Sequence, residues 1–595
     1  MALAACSLLL VLGLVCGSAY GNAQSDNGAA GNQTPLATGS ISNPTQMAAG
    51  SKSAVYNIGS GNCTCNDPNT EYTIVGTSTN GSTVKIKGGS EQNPIHVILD
   101  NVTIDQGSVK PSCSPITVES GYAIIKLRGT NVLKAGYKHN GGILDKLVHD
   151  DGLAGLCVPK GSTCIITSVD GDGSTNGSLE AHGGHDKYGG AGIGTNYNDN
   201  TGSSYINGGT IKAYGAHSAA GIGSGRDGEC YTVCIQGGDV WAWGGTYAAG
   251  IGGGDAVGVS TGGTTHDLWV HGGTVHAYGG DNGGAGIGGS EGGGTGSITI
   301  TGGNITAYGC GEHGSKGSAA GIGSGDGEKC GTIKIGQGSG ELTINAKGYG
   351  EGAGIGGANC KSGTIDIKLR SGTITATGGP EAAGIGSGDD ESGAINIKGN
   401  GTINAYAGWK SAAIGAGDQG HSGPININGN SSRLNINAYA PKPQNPGESF
   451  VSYAAIIGAG DGSASDISIN NANINLNGSP TATIEGAGIG TGSSNDLSLK
   501  DGGIGTITIS NAQIRFHSIH QMDGAGIGAG YGSNIKTITL DNVDYEGPTI
   551  GSSCSDRFGT DENSMGSISI SNSNIKATAR GDRKRIHAGI GTGPY

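Results

Sequence analysis

Five aspartates, Asp255, Asp326, Asp389, Asp418 and Asp461, each close an Ile-Gly-x-Gly-Asp run, and the last three do so in successive copies of that run. One residue type repeated at one position of a stacked repeat forms a column. Carboxylates ~5 Å apart in such a column repel by roughly 1 kcal/mol per pair in water. Calcium, which takes oxygen ligands, would relieve that repulsion. Asx turns, in which each aspartate bonds its own local backbone, would tolerate it. Calcium is the one cofactor for which the sequence offers an argument, and these five residues are its candidate ligands. Their spacing is much longer than that of the calcium-binding nonapeptide repeat.

A second column is aromatic. Tyr214, Trp243, Tyr278 and Tyr308 hold one position of four consecutive repeats, and Trp241 and Trp269 are further outward rings. Exposed flat rings in a row can stack on the apolar faces of sugars, which makes these six the candidate carbohydrate-binding residues. The same rings can equally stack on one another and brace the repeat.

Thiols and amides add weaker signals. Of 13 cysteines, all but Cys6 and Cys16 follow the N-terminal apolar run, which leaves an odd number for pairing. Cys330 and Cys360 each precede the Thr-Ile-x-Ile strand of successive repeats, where neighbouring rungs lie ~4.8 Å apart. They are the candidate disulfide, with separate buried thiols as the alternative. No Cys-x-x-Cys pair or histidine cluster points to zinc. Asn-x-Ser/Thr occurs at Asn32, Asn62, Asn80, Asn101, Asn176, Asn304, Asn430 and Asn477, the candidate glycan acceptors.

The elements that position these residues follow from periodicity. Versions of Ala-Gly-Ile-Gly recur thirteen times from Ala191 onward, with 29 residues between Ile193, Ile222 and Ile251. That is a solenoid period. In Ser297-Ile298-Thr299-Ile300 the isoleucines face one way, and in Asn304-Ile305-Thr306-Ala307-Tyr308 the inward pair is Ile305 and Ala307. Ala320-Gly321-Ile322-Gly323 leaves one bulky inward residue between glycines suited to a sharp corner or a close backbone approach. The pattern predicts an all-β chain, a right-handed parallel β-helix of roughly 17 coils with three short strands per coil. It contains no convincing amphipathic helix. With 124 glycines in 595 residues and only three phenylalanines, an Ile, Val and Ala column must supply the core.

Leu99-Asp100-Asn101-Val102-Thr103-Ile104, Ile125-Lys126-Leu127-Arg128-Gly129-Thr130-Asn131-Val132-Leu133, Leu179-Glu180-Ala181-His182-Gly183-Gly184 and the repeated Ala-Gly-Ile-Gly together carry a resemblance. The chain is similar to right-handed parallel β-helix proteins of the pectin-lyase-like architecture, especially microbial surface adhesins and carbohydrate-binding β-helices. The resemblance covers about residues 54–595 and specifies fold far better than activity. Polygalacturonase-like members use clustered aspartates with a His-Gly and an Arg-x-Lys. Gly388-Asp389-Asp390 and His149-Asp150-Asp151 have no such set beside them. Pectate-lyase-like members need an arginine base near calcium, and Arg226, Arg370 and Arg433 are isolated. No catalytic residue is assigned.

Residues 1–21 read as a signal peptide, 22–50 as a disordered polar leader, 51–190 as irregular N-terminal coils and 191–595 as repetitive coils. No second long apolar stretch predicts a membrane span. A formal net charge of −14 argues against nucleic acid as a partner. These readings lead to a secreted, non-catalytic surface or matrix protein for adhesion or structure, whose partner is a polysaccharide or cell-surface glycan. The alternatives are a polysaccharide lyase or glycoside hydrolase on a β-helix, and a filament subunit that associates end to end.

Overall fold

The computed structural model describes residues 51–592, apart from 108–112, 139–150, 185–187, 257–262, 311–316, 327–328, 339, 431, 442–449, 461, 480, 494–504, 532, 553–564 and 579–588. Asp461, Asn32, Cys554, the signal peptide and the polar leader lie outside the described residues. Residues 47–595 form one compact unit.

Three parallel ladders build that unit. The first consists of the Ile-Gly pairs and their N-terminal counterparts, running from Cys63 through Val84, Ile116, Leu156 and Ile193 to Ile590. Among the described residues, sixteen parallel pairings join its seventeen strands, one per coil. The second ladder carries the Ile-x-Ile strands, such as Ile365–Leu369 paired with Ile395–Gly399. The third carries the strands that end in the aromatic column, such as Thr210–Tyr214 paired with Asp239–Trp243. The only helical element among the described residues is the 3-10 turn Ile58–Ser60. The fold is the parallel β-helix that the periodicity predicts, with the coil count it predicts.

Alternation sets the core. Along Gly303–Tyr308, Ile305 and Ala307 are fully buried while their neighbours reach toward solvent. Along the corner ladder from Ile193 onward isoleucine stacks on isoleucine, as Ile385 does on Ile414, while elsewhere another apolar residue also serves as partner, as Val240 does for Ile211. Burying one such side chain is worth roughly 1.5–3 kcal/mol, and β-branched side chains suit the pleat. In the last described coil Ile570 and Ile590 are 37% and 47% exposed.

The Ala-Gly-Ile-Gly corner is a closed loop. The N–H of Ala383 donates to the carbonyl of Ser387, and Ala412 and Ala455 repeat that bond to Ala416 and Ala459, all at 2.9 Å. The glycine after each isoleucine must be glycine. Gly386 has a φ of +145°, and a Cβ there would lie 1.7 Å from the carbonyl oxygen of Gly415.

Residues 51–190 are less regular because their strands run through the corners. Ile116–Arg128 pairs with Val84–Gly88 near its start and with Ser162–Ser168 further on, and a register shift at Ile86/Lys87 marks the bend. The three coils between Ile414 and Ile527 carry a small extra ladder of Phe450–Ser452, Ala482–Ile484 and Gln521–Met522.

Outward asparagines form ladders of their own in the C-terminal half. Asn396 Nδ2 donates to Asp366 Oδ1 at 2.7 Å and Asn426 Nδ2 to Asn396 Oδ1 at 2.9 Å. Asn404, Asn437 and Asn475 repeat the pattern on the third ladder. Each amide satisfies the next, so these faces stay polar without leaving groups unpaired.

Cys330 and Cys360 are both free and buried. Ile333 pairs with Ile365, so Cys330 lies opposite Ser362 and Cys360 falls two residues out of register. The Cys330 thiol bonds the carbonyl of Gly356 at 3.3 Å, and Cys360 Sγ lies 3.1 Å from Ser324 Oγ. Among the sequons, Asn62, Asn80, Asn101, Asn176, Asn304 and Asn430 are exposed and Asn477 is half-buried.

Candidate functional site

The aromatic column is a stack. His182, Tyr214, Trp243, Tyr278 and Tyr308 are direct register partners on five successive rungs of the third ladder. Parallel in-register strands repeat at ~4.8 Å, which is close to the contact distance of flat rings. His182 and Tyr214 stack at 4.5 Å and 8°, Tyr214 and Trp243 at 4.5 Å and 2°, and Trp243 and Tyr278 at 5.9 Å and 16°. Tyr308 breaks the stack, meeting Tyr278 edge-on at 79°, and its hydroxyl accepts a bond from Asn345 Nδ2 at 3.0 Å.

A second file widens the ridge. Trp241 stacks on His276 at 3.8 Å and lies 5.8 Å from Trp243, and its Nε1–H donates to Asp239 Oδ1 at 3.0 Å. Burial pushes the His276 imidazole below its ordinary range, so the ring is neutral in the stack. Trp269 does not join this ridge. It belongs to the second ladder, between Cys234 and Thr299. Tyr278, expected as an exposed ring, is buried at 6%. Because the stacked rings cover one another's faces, the ridge offers ring edges and an apolar strip at the half-buried Tyr214, Trp241, Trp243 and Tyr308. Tyr406 and Tyr439 form a separate stack at 4.1 Å and 7°.

The acidic corner is built from two columns. Asp255, Asp326, Asp389 and Asp418 lie four residues after the corner isoleucine, and the same position holds Arg226, Glu291 and Asn359 in intervening coils. Facing them are the residues four positions before the isoleucine, among them Glu351, Glu381 and Lys410. Only the first column stands in a sequence motif. The second was readable from the same offset counted backwards.

Cations inside the chain answer part of this charge. Arg226 Nε lies 3.6 Å from Asp255, and its guanidinium sits 4.6 Å from the Tyr188 ring centroid. Lys410 Nζ lies 2.9 Å from Asp418 and 4.0 Å from Glu381, and also approaches the Trp409 ring at 4.9 Å. Burial pushes the carboxyls of Asp255 and Asp326 up. Asp389 is pushed up to about 6, first by burial and then by Asp418, Glu351 and Glu381, with Lys410 opposing. Its Oδ1 is sealed from solvent without a hydrogen bond, as is Trp409 Nε1. This corner can hold a proton at Asp389 near neutral pH. Among the described residues no three His, Cys, Asp or Glu side chains converge as a metal cage.

A family model described as a β-helix repeat matches residues 205–226, 235–255, 269–293, 298–326, 367–389, 395–418 and 568–594. The first six matches begin on or next to the second ladder and end at or near the corner that follows the third, so the matched unit is most of one coil. The chain is a parallel β-helix repeat protein. No curated protein and no solved structure matches it. Among the described residues, no helix is long and apolar enough to cross a membrane.

Proposed function

We propose that this is a secreted, non-catalytic β-helical protein of the cell surface or extracellular matrix that adheres through carbohydrate. The observation that carries the reading is the aromatic ridge from His182 to Tyr308, two rings wide at Trp241, Trp243, His276 and Tyr278. Ring edges flanked by hydroxyl, indole and imidazole N–H groups supply apolar contact and directional bonds together, the combination that sugar hydroxyls and C–H faces require. Six exposed sequons and the N-terminal apolar run support secretion. The test is a glycan array on the full chain, repeated with Tyr214, Trp243, Tyr278 and Tyr308 all changed to Ala. Retention should disappear in that variant. Unchanged retention overturns the ridge as the site.

A second reading, a glycoside hydrolase on a β-helix, is favoured by one observation. Asp389, with its carboxyl pushed up to about 6 beside Asp418 and Glu381, has the protonation that a general acid needs. Release of reducing ends from a bound polysaccharide, abolished by Asp389→Asn, would replace the adhesive reading with this one.

A further inference from the structure

The outward face of the second ladder carries charge opposite to that of the acidic corner. Lys334, Asp366 and Asn396 are register partners on Cys330–Ile335, Ile365–Leu369 and Ile395–Gly399, and Lys368 lies directly opposite Lys398. With Gln337 and Ile367 they line an open groove of ≈ 400 Å³. Like charges directly opposite one another destabilise a ladder. Here they stand in a chain whose formal net charge is −14.

Lysines elsewhere in the chain have acid partners: Lys126 pairs with Glu71, Lys361 with Glu391 and Lys410 with Asp418. Among the described residues no carboxylate comes within ion-pair distance of Lys334, Lys368 or Lys398. The one acid in the groove, Asp366, is engaged at Oδ1 by the Asn396 amide at 2.7 Å. The asparagine ladder thus holds Asp366 as an acceptor, and three ammonium groups outnumber the single carboxylate of the groove.

We propose that this groove binds an acidic polysaccharide, with its carboxylate or sulfate groups against Lys334, Lys368 and Lys398. Two features select that ligand class. The rungs advance by ~4.8 Å, close to the advance of one sugar unit along an extended glycan, so anions on a glycan meet ammonium groups on successive rungs. The groove also offers acceptors, Asp366 and the amide oxygen of Gln337, for ligand hydroxyl donors. A polysaccharide supplies both anions and many hydroxyls, whereas a nucleic acid backbone supplies anions and at most one hydroxyl per unit. Lysine binds such groups as a point charge, so the contact weakens as salt rises. The groove lies on a different ladder from the aromatic ridge and needs none of its residues.

The experiment measures retention of the full chain on immobilised dextran sulfate, alginate and neutral dextran, with single-stranded RNA as competitor. The wild type should be held by at least one of the two acidic matrices, sulfate and carboxylate being told apart by which one, and not by neutral dextran. The triple change Lys334→Gln, Lys368→Gln and Lys398→Gln should weaken binding at least tenfold with an unchanged β circular dichroism spectrum. The corresponding triple change to Arg should keep it. The four-residue ridge variant should bind the acidic matrix as the wild type does. The proposal is overturned by undiminished binding of the glutamine variant, by equal retention on neutral dextran, by RNA binding tighter than either polysaccharide, by loss of binding in the ridge variant, or by absence of binding to both acidic matrices.

Discussion

The backbone N–H of Asp418 donates to the carbonyl oxygen of Glu381 at 3.1 Å. The same bond joins Asp255 to Ser218, Glu291 to Tyr247, Ser493 to Tyr453 and Tyr531 to Glu485. In every case the donor lies four residues after a corner isoleucine and the acceptor four residues before the corner isoleucine of an earlier coil. Main chain, not side chain, therefore sets the two columns side by side. Whatever side chains occupy those offsets must share one narrow corner, which is why Asp389 meets Glu351, Glu381 and Asp418 at once.

That crowding makes one contribution to stability depend on pH. The carboxyl of Asp389 is raised from 3.8 to about 6 in the fold, so the folded state holds the proton more tightly than the unfolded chain. Its stabilising contribution is full below about pH 4 and is lost as pH rises through about 6. Asp389→Asn should therefore match the wild type near pH 4 and exceed its stability above about pH 6.5, on the order of 1 kcal/mol after allowance for solvent screening. Thermal melts of both proteins across that range check it. A difference independent of pH would show that burial and neighbouring acids do not perturb this carboxyl.

Lys410 is the cation of the same corner. Lys410→Ala should lower the melting temperature at pH 7.5 because Asp418, Glu381 and Asp389 lose their shared counter-charge. If calcium is the cofactor that the acidic column suggests, adding it should restore part of that loss, and a chelator should reverse the gain. Calcium titration of the wild type and variant by differential scanning fluorimetry gives the answer.

Stacked rings have two separable roles. Trp243→Ala removes contacts to Tyr214 and Tyr278 and should cost roughly 1–3 kcal/mol. Tyr406→Ala, which removes the isolated stack on Tyr439, should also destabilise, by about 1 kcal/mol, yet leave glycan retention intact. Comparing melts with array binding for the two variants separates bracing from binding. Equal loss of retention in both would mean that rigidity, not the ridge, governs the interaction.

Cys330 and Cys360 are expected to be free thiols, each bonded to another group of the corner. Cys330, pushed up to about 12 by burial, should resist iodoacetamide at pH 8 in the native protein. After unfolding without reductant, both Cys330 and Cys360 should be alkylated, as peptide mass spectrometry would reveal. A mixed peptide joined by these two residues would contradict the two-residue offset.

The ladders were legible because Ile305, Ala307 and their counterparts alternate with polar residues at a fixed period, which any parallel stack must convert into an inward column. Register was less legible. Trp269 was grouped with Trp241 by residue type, but one belongs to the second ladder and the other to the third. Cys330 and Cys360 share a neighbourhood in sequence yet differ by two residues in alignment. The acidic corner was half visible: the aspartates after the isoleucine stand in a motif, whereas Glu351, Glu381 and Lys410 before it are diverse in type. Asparagine ladders are hidden in the sequence because a single Asn in a strand is a weak β former, and only the stacking of coils brings its amide to the next.

Substitution of the corner glycines should be the least tolerated change in the molecule. Gly415→Ala would place a Cβ 1.7 Å from the Gly458 carbonyl oxygen at a φ of +141°, and both the clash and the backbone oppose it. Soluble yield and the melting temperature should fall by far more than for Ile414→Ala, whose expected cost is roughly 2–5 kcal/mol. A well-folded Gly415→Ala protein would contradict the corner geometry.

Because Ile385 and Ile414 are register partners each followed by glycine, excision of residues 386–414 would join Ile385 to Gly415 and preserve the grammar of every remaining rung. The product would be one graduation shorter, by ~4.8 Å, with its other surfaces unaltered. Length in this chain is thus quantised. Genetic duplication or loss of a whole coil would move two surface patches nearer or farther like marks on a ruler, whereas a change of a few residues within the Ile-Gly corner would have no rung to land on.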